Sequence, residues 1–352
     1  MSHHSRRGIL ARGAGAGVTT YYVAVSATTT PYIHAYPWDD TTGFGTKFAN
    51  PSALPLGFVN AVAFNPAGTA LAAAFISLPP YIYVYSWSSS GFGSRFANPA
   101  TLPTGNGNGV AFSPAGTQIA VAHATSPYVS VYPWSSSGFG TKFTNPATLP
   151  TGIGYSVAFS PAGTEIAVGH ATTPFVSAYP WSSSGFGTKF SNPATVPTGN
   201  GNSIAFSPAG TQIAIAHTTT PFISTYPWSS SGFGTRFSNP ATLPTGNAFS
   251  VAFSPAGTEI AIAHNTTPFV SAYPWSSSGF GTKFANPTTL PGGNSAGAAF
   301  SPTGNALAIS YNTPTPFIIA YAWSASGFGT KYGNPSTVPD SAQRLAFGKI
   351  VS

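Results

Sequence analysis

The sequence predicts an all-β fold, a seven-bladed β-propeller with four antiparallel strands in each blade. Two observations lead to this prediction: a repeat of 47 residues runs along the chain, and its last partial copy supplies the strand that its first copy lacks. The composition agrees, because 34 prolines and 39 glycines spread along the chain disfavour long helices and favour short strands joined by turns.

A single tryptophan marks each repeat. The spacings between successive tryptophans are 49, 47, 47, 47, 47 and 48 residues. The seven residues are Trp38, Trp87, Trp134, Trp181, Trp228, Trp275 and Trp323. A repeat of this length with four strands is typical of a propeller blade.

One copy of the repeat shows how the four strands are predicted. Short runs rich in β-forming residues cover Ser156–Ser160, Glu165–His170, Phe175–Trp181 and Phe186–Phe190. A Pro-Ala-Gly-Thr turn separates the first two runs, and Ser-Ser-Ser-Gly separates the last two. Turn residues at both ends of each run favour strands over helices.

The two ends of the chain predict how the ring closes. Each first strand carries a phenylalanine, and Phe347 follows Phe300 at the same 47-residue step. The N-terminal copy, residues 21–48, supplies only strands two to four. We therefore expect the C-terminal strand to complete the N-terminal blade, which leaves only short outer edges exposed. On this basis residues 18–352 form the propeller.

Residues 1–17 are predicted to be a basic, Gly/Ala-rich arm. Arg6, Arg7 and Arg12 make it a candidate docking segment for a larger assembly. The stretch from Ser5 to Leu10 resembles a twin-arginine export signal, but the glycines and alanines that follow are not a firm apolar region. Cleavage near residue 27 would also remove a predicted strand, so a cleaved signal peptide is not expected.

The repeat resembles the WD40 family over about residues 18–350. The resemblance rests on Val-Ala-Phe-Ser-Pro-Ala-Gly-Thr, followed by a hydrophobic strand and a strand that ends in Trp. The family's Gly-His pair is absent, and Trp is followed by Asp only at Trp38-Asp39. The resemblance therefore implies the fold without the family's bracing tetrad. The repeat is also similar to charge-poor propellers of phages and environmental bacteria.

The composition excludes several kinds of site. Only 5% of the residues are charged, and the chain has no cysteine. Disulfides, zinc–thiolate sites and cysteine nucleophiles are therefore excluded. No apolar run approaches the roughly 20 residues of a membrane-spanning helix.

Carboxylates are rare and do not form a catalytic pattern. Glu165 and Glu259 occupy a repeat position that Gln118 and Gln212 fill in neighbouring copies. An amide cannot replace a general acid or base, so this position is not predicted to be catalytic. The five carboxylates are Asp39, Asp40, Glu165, Glu259 and Asp340.

Four histidines recur at the end of the second strand, at His123, His170, His217 and His264. Equivalent positions in separate blades lie too far apart to share one metal ion. A local hydrogen bond at the strand end is the preferred interpretation, and four separate ligand contacts stay open. No metal and no cofactor are predicted.

Seven of the twelve cations fall at one repeat position near the outer strand. They are Lys47, Arg95, Lys142, Lys189, Arg236, Lys283 and Lys331. Alternation along the strand turns this side chain away from the flanking phenylalanines, which predicts a ring of positive charge on the perimeter. Such a ring either deters strand pairing at the edge or contacts an anionic partner. Nucleic acid is disfavoured despite an isoelectric point near 9.6, because the cations are dispersed.

From these observations the sequence predicts a non-enzymatic structural or attachment module, a component of a phage-like virion making repeated weak contacts. A multivalent lectin is the alternative, and an intracellular scaffold is the third interpretation. The expected partners are other protein subunits or an anionic glycan. The expected location is a virion or the extracellular space, with a cytoplasmic stage before release.

Overall fold

A computed structural model describes residues 19–351 as a closed ring of seven four-stranded sheets. All strand pairings within the sheets are antiparallel, and residues 19–351 contain no α-helix. The predicted fold class is therefore confirmed. Over the same residues there is no helix that is long and apolar enough to cross a membrane.

The strands follow one pattern in each blade. Blade 1 contains β1 (Thr19–Ser26), β2 (Ile33–Asp39), β3 (Gly43–Phe44) and the last strand of the chain. Blade 2 contains β4 (Val59–Phe64), β5 (Ala70–Phe75), β6 (Ile82–Ser88) and β7 (Gly91–Arg95). Blade 3 contains β8 (Gly107–Phe112), β9 (Gln118–His123), β10 (Val129–Ser135) and β11 (Gly138–Phe139). Blade 4 contains β12 (Gly154–Phe159), β13 (Glu165–His170), β14 (Val176–Ser182) and β15 (Gly185–Phe186).

The remaining blades continue this order. Blade 5 contains β16 (Gly201–Phe206), β17 (Gln212–His217), β18 (Ile223–Ser229) and β19 (Gly232–Phe233). Blade 6 contains β20 (Ala248–Phe253), β21 (Glu259–His264), β22 (Val270–Ser276) and β23 (Gly279–Phe280). Blade 7 contains β24 (Ser295–Phe300), β25 (Ala306–Tyr311), β26 (Ile318–Ser324) and β27 (Gly327–Lys331), and β28 (Leu345–Val351) belongs to blade 1.

The chain ends pair with each other as predicted. Strand β28 lies antiparallel to β1, with Phe347 opposite Val23 and Leu345 opposite Val25. The first strand of each blade lies beside the first strand of the next, from β4 round to β28 and back to β4. The C-terminal strand thus completes the N-terminal blade and closes the ring.

The hydrophobic core lies between neighbouring blades. Trp181 of blade 4 packs edge-on against Phe143 of blade 3, with ring centroids 5.0 Å apart. It also contacts Phe159 and Phe186 of its own blade at 5.7 and 4.9 Å. The edge-to-face arrangement is the one that aromatic quadrupoles favour. The tryptophan that marks each repeat therefore joins one sheet to the next.

The outer strand is shorter than predicted in most blades. In blade 4 it covers Gly185–Phe186 instead of Phe186–Phe190. The neighbouring strand carries Pro180 opposite the missing part, and proline has no N–H for a sheet hydrogen bond. In blades 2 and 7 the equivalent residues are Ser86 and Ala322, and there the outer strand extends to five residues.

The predicted N-terminal arm lies outside the described residues. This applies to Arg6, Arg7 and Arg12 and to the boundary at residue 17.

Candidate functional site in the central channel

The first strands of the blades line a channel along the axis of the ring. In six of them, a β-bulge interrupts the pairing with the second strand. A bulge leaves one residue unpaired and re-aims its side chain. Five of the six bulged residues line a cavity of about 250 Å³ at one mouth of the channel. The bulged residues are Asn60, Asn108, Tyr155, Asn202, Phe249 and Ala296.

One large side chain enters the channel just beyond the mouth. Arg344 precedes β28 in blade 1, at the position that follows the bulge in the other six blades. Those six blades have small residues there, so the channel has room for one long side chain. The small residues are Ala61, Gly109, Ser156, Ser203, Ser250 and Gly297.

The guanidinium of Arg344 crosses to two other blades. It donates hydrogen bonds to the main-chain oxygen of Asn202, at 2.9 Å, and to that of Phe249. Both acceptors are neutral carbonyls. Burial lowers the pKa of Arg344 to about 10, so the side chain stays positively charged at neutral pH. A guanidinium has five N–H donors, and these contacts use two of them.

Arg344 lines two adjoining chambers of the channel. The outer chamber is the cavity of about 250 Å³, and the inner one measures about 200 Å³. Both are lined by Arg344, and none of the described residues that line them is Asp, Glu or His. A buried charge is normally paired. The channel therefore presents an uncompensated cation among neutral polar groups.

Asparagine side chains at the mouth connect neighbouring blades. Asn108 donates to the main-chain oxygen of Gly154 at 2.9 Å, and Asn202 donates to that of Ala248 at 2.9 Å. Asn60 donates to the side-chain oxygen of Asn108 at 3.1 Å. These contacts hold the amides in fixed positions, with the aromatic rings of Tyr155 and Phe249 beside them. The mouth is therefore a preorganised polar surface with two flat apolar faces.

The four repeated histidines lie away from the channel chambers and are fully buried. Each places Nε2 3.0 Å from a serine hydroxyl on the third strand, in the pairs His123–Ser130, His170–Ser177, His217–Ser224 and His264–Ser271. Burial lowers the pKa of each of these histidines to about 4. In three of the four blades, a threonine hydroxyl also lies 3.4 or 3.5 Å from Nδ1. Local hydrogen bonding accounts for these residues.

The seven repeated cations bond mainly within their own loops. Six of them donate to the side-chain oxygen of an asparagine three residues later, as Lys331 does to Asn334 at 2.6 Å. Arg236 instead lies 3.5 Å from the hydroxyl of Ser224. Burial lowers the pKa of Lys189 from its usual value, which matches a side chain folded against the blade. Contact with an anionic partner stays a prediction.

The carboxylates also lie outside the two chambers. Asp39 accepts hydrogen bonds from the main-chain N–H groups of Thr41 and Thr42, and these bonds lower its pKa. Among the described residues no group of three or more His, Asp or Glu side chains is placed to hold a metal ion.

Comparison with known proteins identifies the fold. A candidate 6-phosphogluconolactonase from Bacteroides fragilis superposes with a TM-score of 0.72 at 13% identity, covering 93% of this chain and 98% of that one. The periplasmic gluconolactonase of Pseudomonas aeruginosa matches with a TM-score of 0.71 at 16% identity, covering 94% and 99%. A β-propeller domain from Myceliophteria thermophila matches with a TM-score of 0.59 at 12% identity, covering 81% and 89%. No protein-family model and no curated protein sequence matches the chain.

These comparisons contradict the prediction of a non-enzymatic attachment module of a phage-like virion. Propellers of the same architecture over almost the whole chain carry the names of lactonases, which are enzymes. The comparisons give no support to the lectin and scaffold alternatives either. At 13–16% identity the likeness itself establishes the shared fold alone.

The prediction was wrong because the channel site does not follow the repeats. Acids, histidines and cations recur from blade to blade, whereas the cation of the channel occurs once. Arg344 was visible in Arg-Leu-Ala-Phe, at a position where the other copies have Ala, Gly or Ser. A large charged residue in place of small ones was the signal that could have found the channel site.

Proposed function

We propose that the protein is a hydrolase that opens a sugar lactone in the central channel, with Arg344 stabilising the charge that develops on the lactone carbonyl. The observation that carries the proposal is the uncompensated guanidinium that lines both chambers. The propellers named as lactonases support the choice of reaction. We also assign the repeats to a divergent WD40-like class, which the propeller domain from Myceliophteria thermophila supports.

The outer chamber suits a ligand of monosaccharide size. Its volume of about 250 Å³ lies just below the range of roughly 300–1,000 Å³ that is typical of pockets for drug-sized ligands. The amides of Asn60, Asn108 and Asn202 supply donors and acceptors for ring hydroxyls. Tyr155 and Phe249 supply flat surfaces for the apolar face of the sugar.

Arg344 suits an oxyanion better than it suits a neutral carbonyl. Attack by water on the lactone carbonyl carbon places negative charge on the carbonyl oxygen. The N–H groups of Arg344 that do not bond to Asn202 or Phe249 donate to this oxygen. The ring C–O bond then breaks, the ring oxygen takes a proton to become a hydroxyl, and the acid releases a proton to solvent. The product is an aldonate, whose carboxylate also complements the guanidinium.

This chemistry relies on charge stabilisation, because the lining residues within 19–351 include no carboxylate or imidazole to act as a general base. Loss of one oxyanion-stabilising donor typically costs roughly 100- to 1,000-fold in rate. We therefore expect Arg344→Gln to lower the rate of lactone hydrolysis about 100-fold toward the uncatalysed rate. Arg344→Lys is expected to lower it less, because the lysine keeps the positive charge.

The test is proton release in a pH-stat with D-glucono-1,5-lactone and its 6-phosphate, measured against uncatalysed hydrolysis. Binding of D-gluconate is measured separately by calorimetry. Lys189→Met, on the perimeter, is the matched control and keeps wild-type rates. If the wild-type protein adds nothing to the uncatalysed rate of either lactone, the hydrolase proposal is rejected.

A further inference from the structure

A second type of site lies in the grooves between blades, outside the channel. Each groove is formed by the turn between the first two strands of one blade and by the tryptophan of the next. The blade 2–3 groove is lined by Asn65, Thr69 and Ala70 from blade 2 and by Trp134 and Ser136 from blade 3. It encloses a cavity of about 380 Å³.

The groove between blades 7 and 1 already contains a carboxylate. Asp40 accepts a hydrogen bond from the indole Nε1–H of Trp38 at 2.6 Å, and its other oxygen accepts the hydroxyl of Thr303 in blade 7. Asp40 lies in the loop after Trp38, which is one residue longer than the loop after the other tryptophans. The chain itself therefore shows which chemical group this position accepts.

Two further grooves have a carboxylate of their own on the opposite wall. Glu165 and Glu259 begin the second strands of blades 4 and 6, and Glu259 lines the groove between blades 6 and 7. Each accepts the hydroxyl of the threonine before it, at 3.0 Å from Thr164 and 2.9 Å from Thr258. Three of the five carboxylates of the chain thus lie at groove positions and bind a hydroxyl there.

The blade 2–3 groove lacks such a group. Ala70 stands where Glu165 and Glu259 stand in their blades, and Ser136 stands two residues after Trp134, as Asp40 does after Trp38. The hydroxyl of Thr69 accepts a hydrogen bond from the side-chain amide of Asn65 at 2.9 Å. The hydrogen of that hydroxyl is therefore free to donate into the groove.

The indole N–H groups add a second donor to these grooves. Five of them are buried without a hydrogen-bond partner among the described residues, at Trp87, Trp181, Trp228, Trp275 and Trp323. Leaving a buried donor unpaired costs roughly 1–3 kcal/mol. Trp38 does not incur this cost, because its indole N–H donates to Asp40. Trp134, which is 6% exposed, lines the cavity of the blade 2–3 groove.

We propose that the blade 2–3 groove is a binding site for a small carboxylate-bearing ligand. Its carboxylate accepts the indole N–H of Trp134, as Asp40 accepts that of Trp38, and the hydroxyl of Thr69, as Glu165 and Glu259 accept the hydroxyls of Thr164 and Thr258 at the same repeat position. An acidic sugar fits the cavity, and a simple organic acid presents the same group. The groove between blades 6 and 7 does not take this ligand, because Glu259 already supplies the negative charge. The site is independent of the channel and of the proposed hydrolysis.

The test uses the indole N–H resonances of ¹⁵N-labelled protein, with Trp134 assigned from Trp134→Phe. Sodium acetate, sodium D-glucuronate, D-glucose and sodium chloride are titrated separately. Acetate and glucuronate are expected to shift the Trp134 indole resonance in a saturable way, with dissociation constants on the order of millimolar. Glucose and chloride are expected to leave it in place. A larger effect of glucuronate than of acetate identifies the acidic sugar as the better ligand.

Two variants make the test specific. Ala70→Glu introduces the residue found at this position in blades 4 and 6. It is expected to abolish the Trp134 shift, because its carboxylate accepts the Thr69 hydroxyl, as Glu165 and Glu259 accept those of Thr164 and Thr258, and repels an added anion. Asp40→Ala empties the groove between blades 7 and 1, and acetate is then expected to shift the Trp38 indole. The proposal is overturned if acetate gives no saturable shift at Trp134, or if the shift survives in Ala70→Glu.

Discussion

Ser26 and Arg344 are 318 residues apart in sequence and are joined by three hydrogen bonds. The Ser26 N–H and hydroxyl both donate to the Arg344 main-chain oxygen, at 2.9 and 3.1 Å, and the Arg344 N–H donates to the hydroxyl at 2.8 Å. The residue that enters the channel is therefore anchored at the point where the chain closes the ring.

Substitution of this serine tests the link between ring closure and the channel. Ser26→Ala removes the hydroxyl contacts and is expected to lower the free energy of unfolding by about 1–2 kcal/mol. The lactone-opening rate is expected to fall as well, because the Arg344 main chain loses an anchor. Urea denaturation and the pH-stat assay measure the two effects. Ser88→Ala, in an exposed hairpin, is the control, and equal effects of both variants would contradict the prediction.

Removal of the last strand tests closure of the whole ring. Deletion of residues 344–352 exposes the edge of β1 and one side of β4, and we expect loss of the cooperative unfolding transition. A circular permutant is the control, with residue 351 joined to residue 19 by Pro-Ala-Gly-Thr and new ends between blades 4 and 5. It is expected to fold, because the other six blades join their first two strands through a short turn, five residues between the strand ends. Circular dichroism and gel filtration distinguish the outcomes.

Because five histidines are buried, we expect the free energy of unfolding to fall in acid. Burial lowers the pKa of each to about 4, from an ordinary value of 6.5; they are His34, His123, His170, His217 and His264. Stability from this source is complete above pH 6.5. It falls between pH 6.5 and 4, because the unfolded chain binds protons there that the folded chain does not.

The expected loss is about 2 kcal/mol per histidine between pH 7 and 5. Urea denaturation at several pH values measures it. His170→Gln cannot titrate and is expected to show a shallower pH dependence than the wild-type protein. An unchanged slope in this variant would show that His170 does not contribute.

The cations on the perimeter are expected to contribute less to the free energy of unfolding than the buried histidines do. Lys189 donates to the side-chain oxygen of Asn192 and holds the loop after the outer strand. Lys189→Met and Asn192→Ala are each expected to lower the free energy of unfolding by less than about 1 kcal/mol, since the pair is partly exposed. A double-mutant cycle checks whether the two losses overlap. Fully additive losses would mean that this contact does not stabilise the loop.

The sequence predicts the architecture well because the architecture is repeated. Trp181 and its counterparts give the blade number, and the position of Phe347 gives the mode of closure. The outer strand is shorter than the sequence predicts. Pro180 lies in the neighbouring strand and cannot donate a hydrogen bond to the outer strand, and the residues of the outer strand alone do not reveal this.

The candidate site was not predicted, for a different physical reason. Its lining comes from a few residues in or beside each first strand, and these strands meet only after the ring closes. Asn202 and Arg344 are 142 residues apart in sequence, yet they share a hydrogen bond across the channel. The bulge that directs Tyr155 into the mouth leaves no local pattern in the sequence, since it depends on pairing with the next strand.

The bulges also bear on how such a ring acquires new specificities. A residue excluded from strand pairing can change without disturbing the sheet around it, and Asn60, Tyr155, Phe249 and Ala296 already differ in otherwise similar blades. The entrance thus behaves as a set of exchangeable positions on a constant scaffold. If the mouth binds a ligand as proposed, replacing these residues one at a time is expected to alter which ligand it accepts.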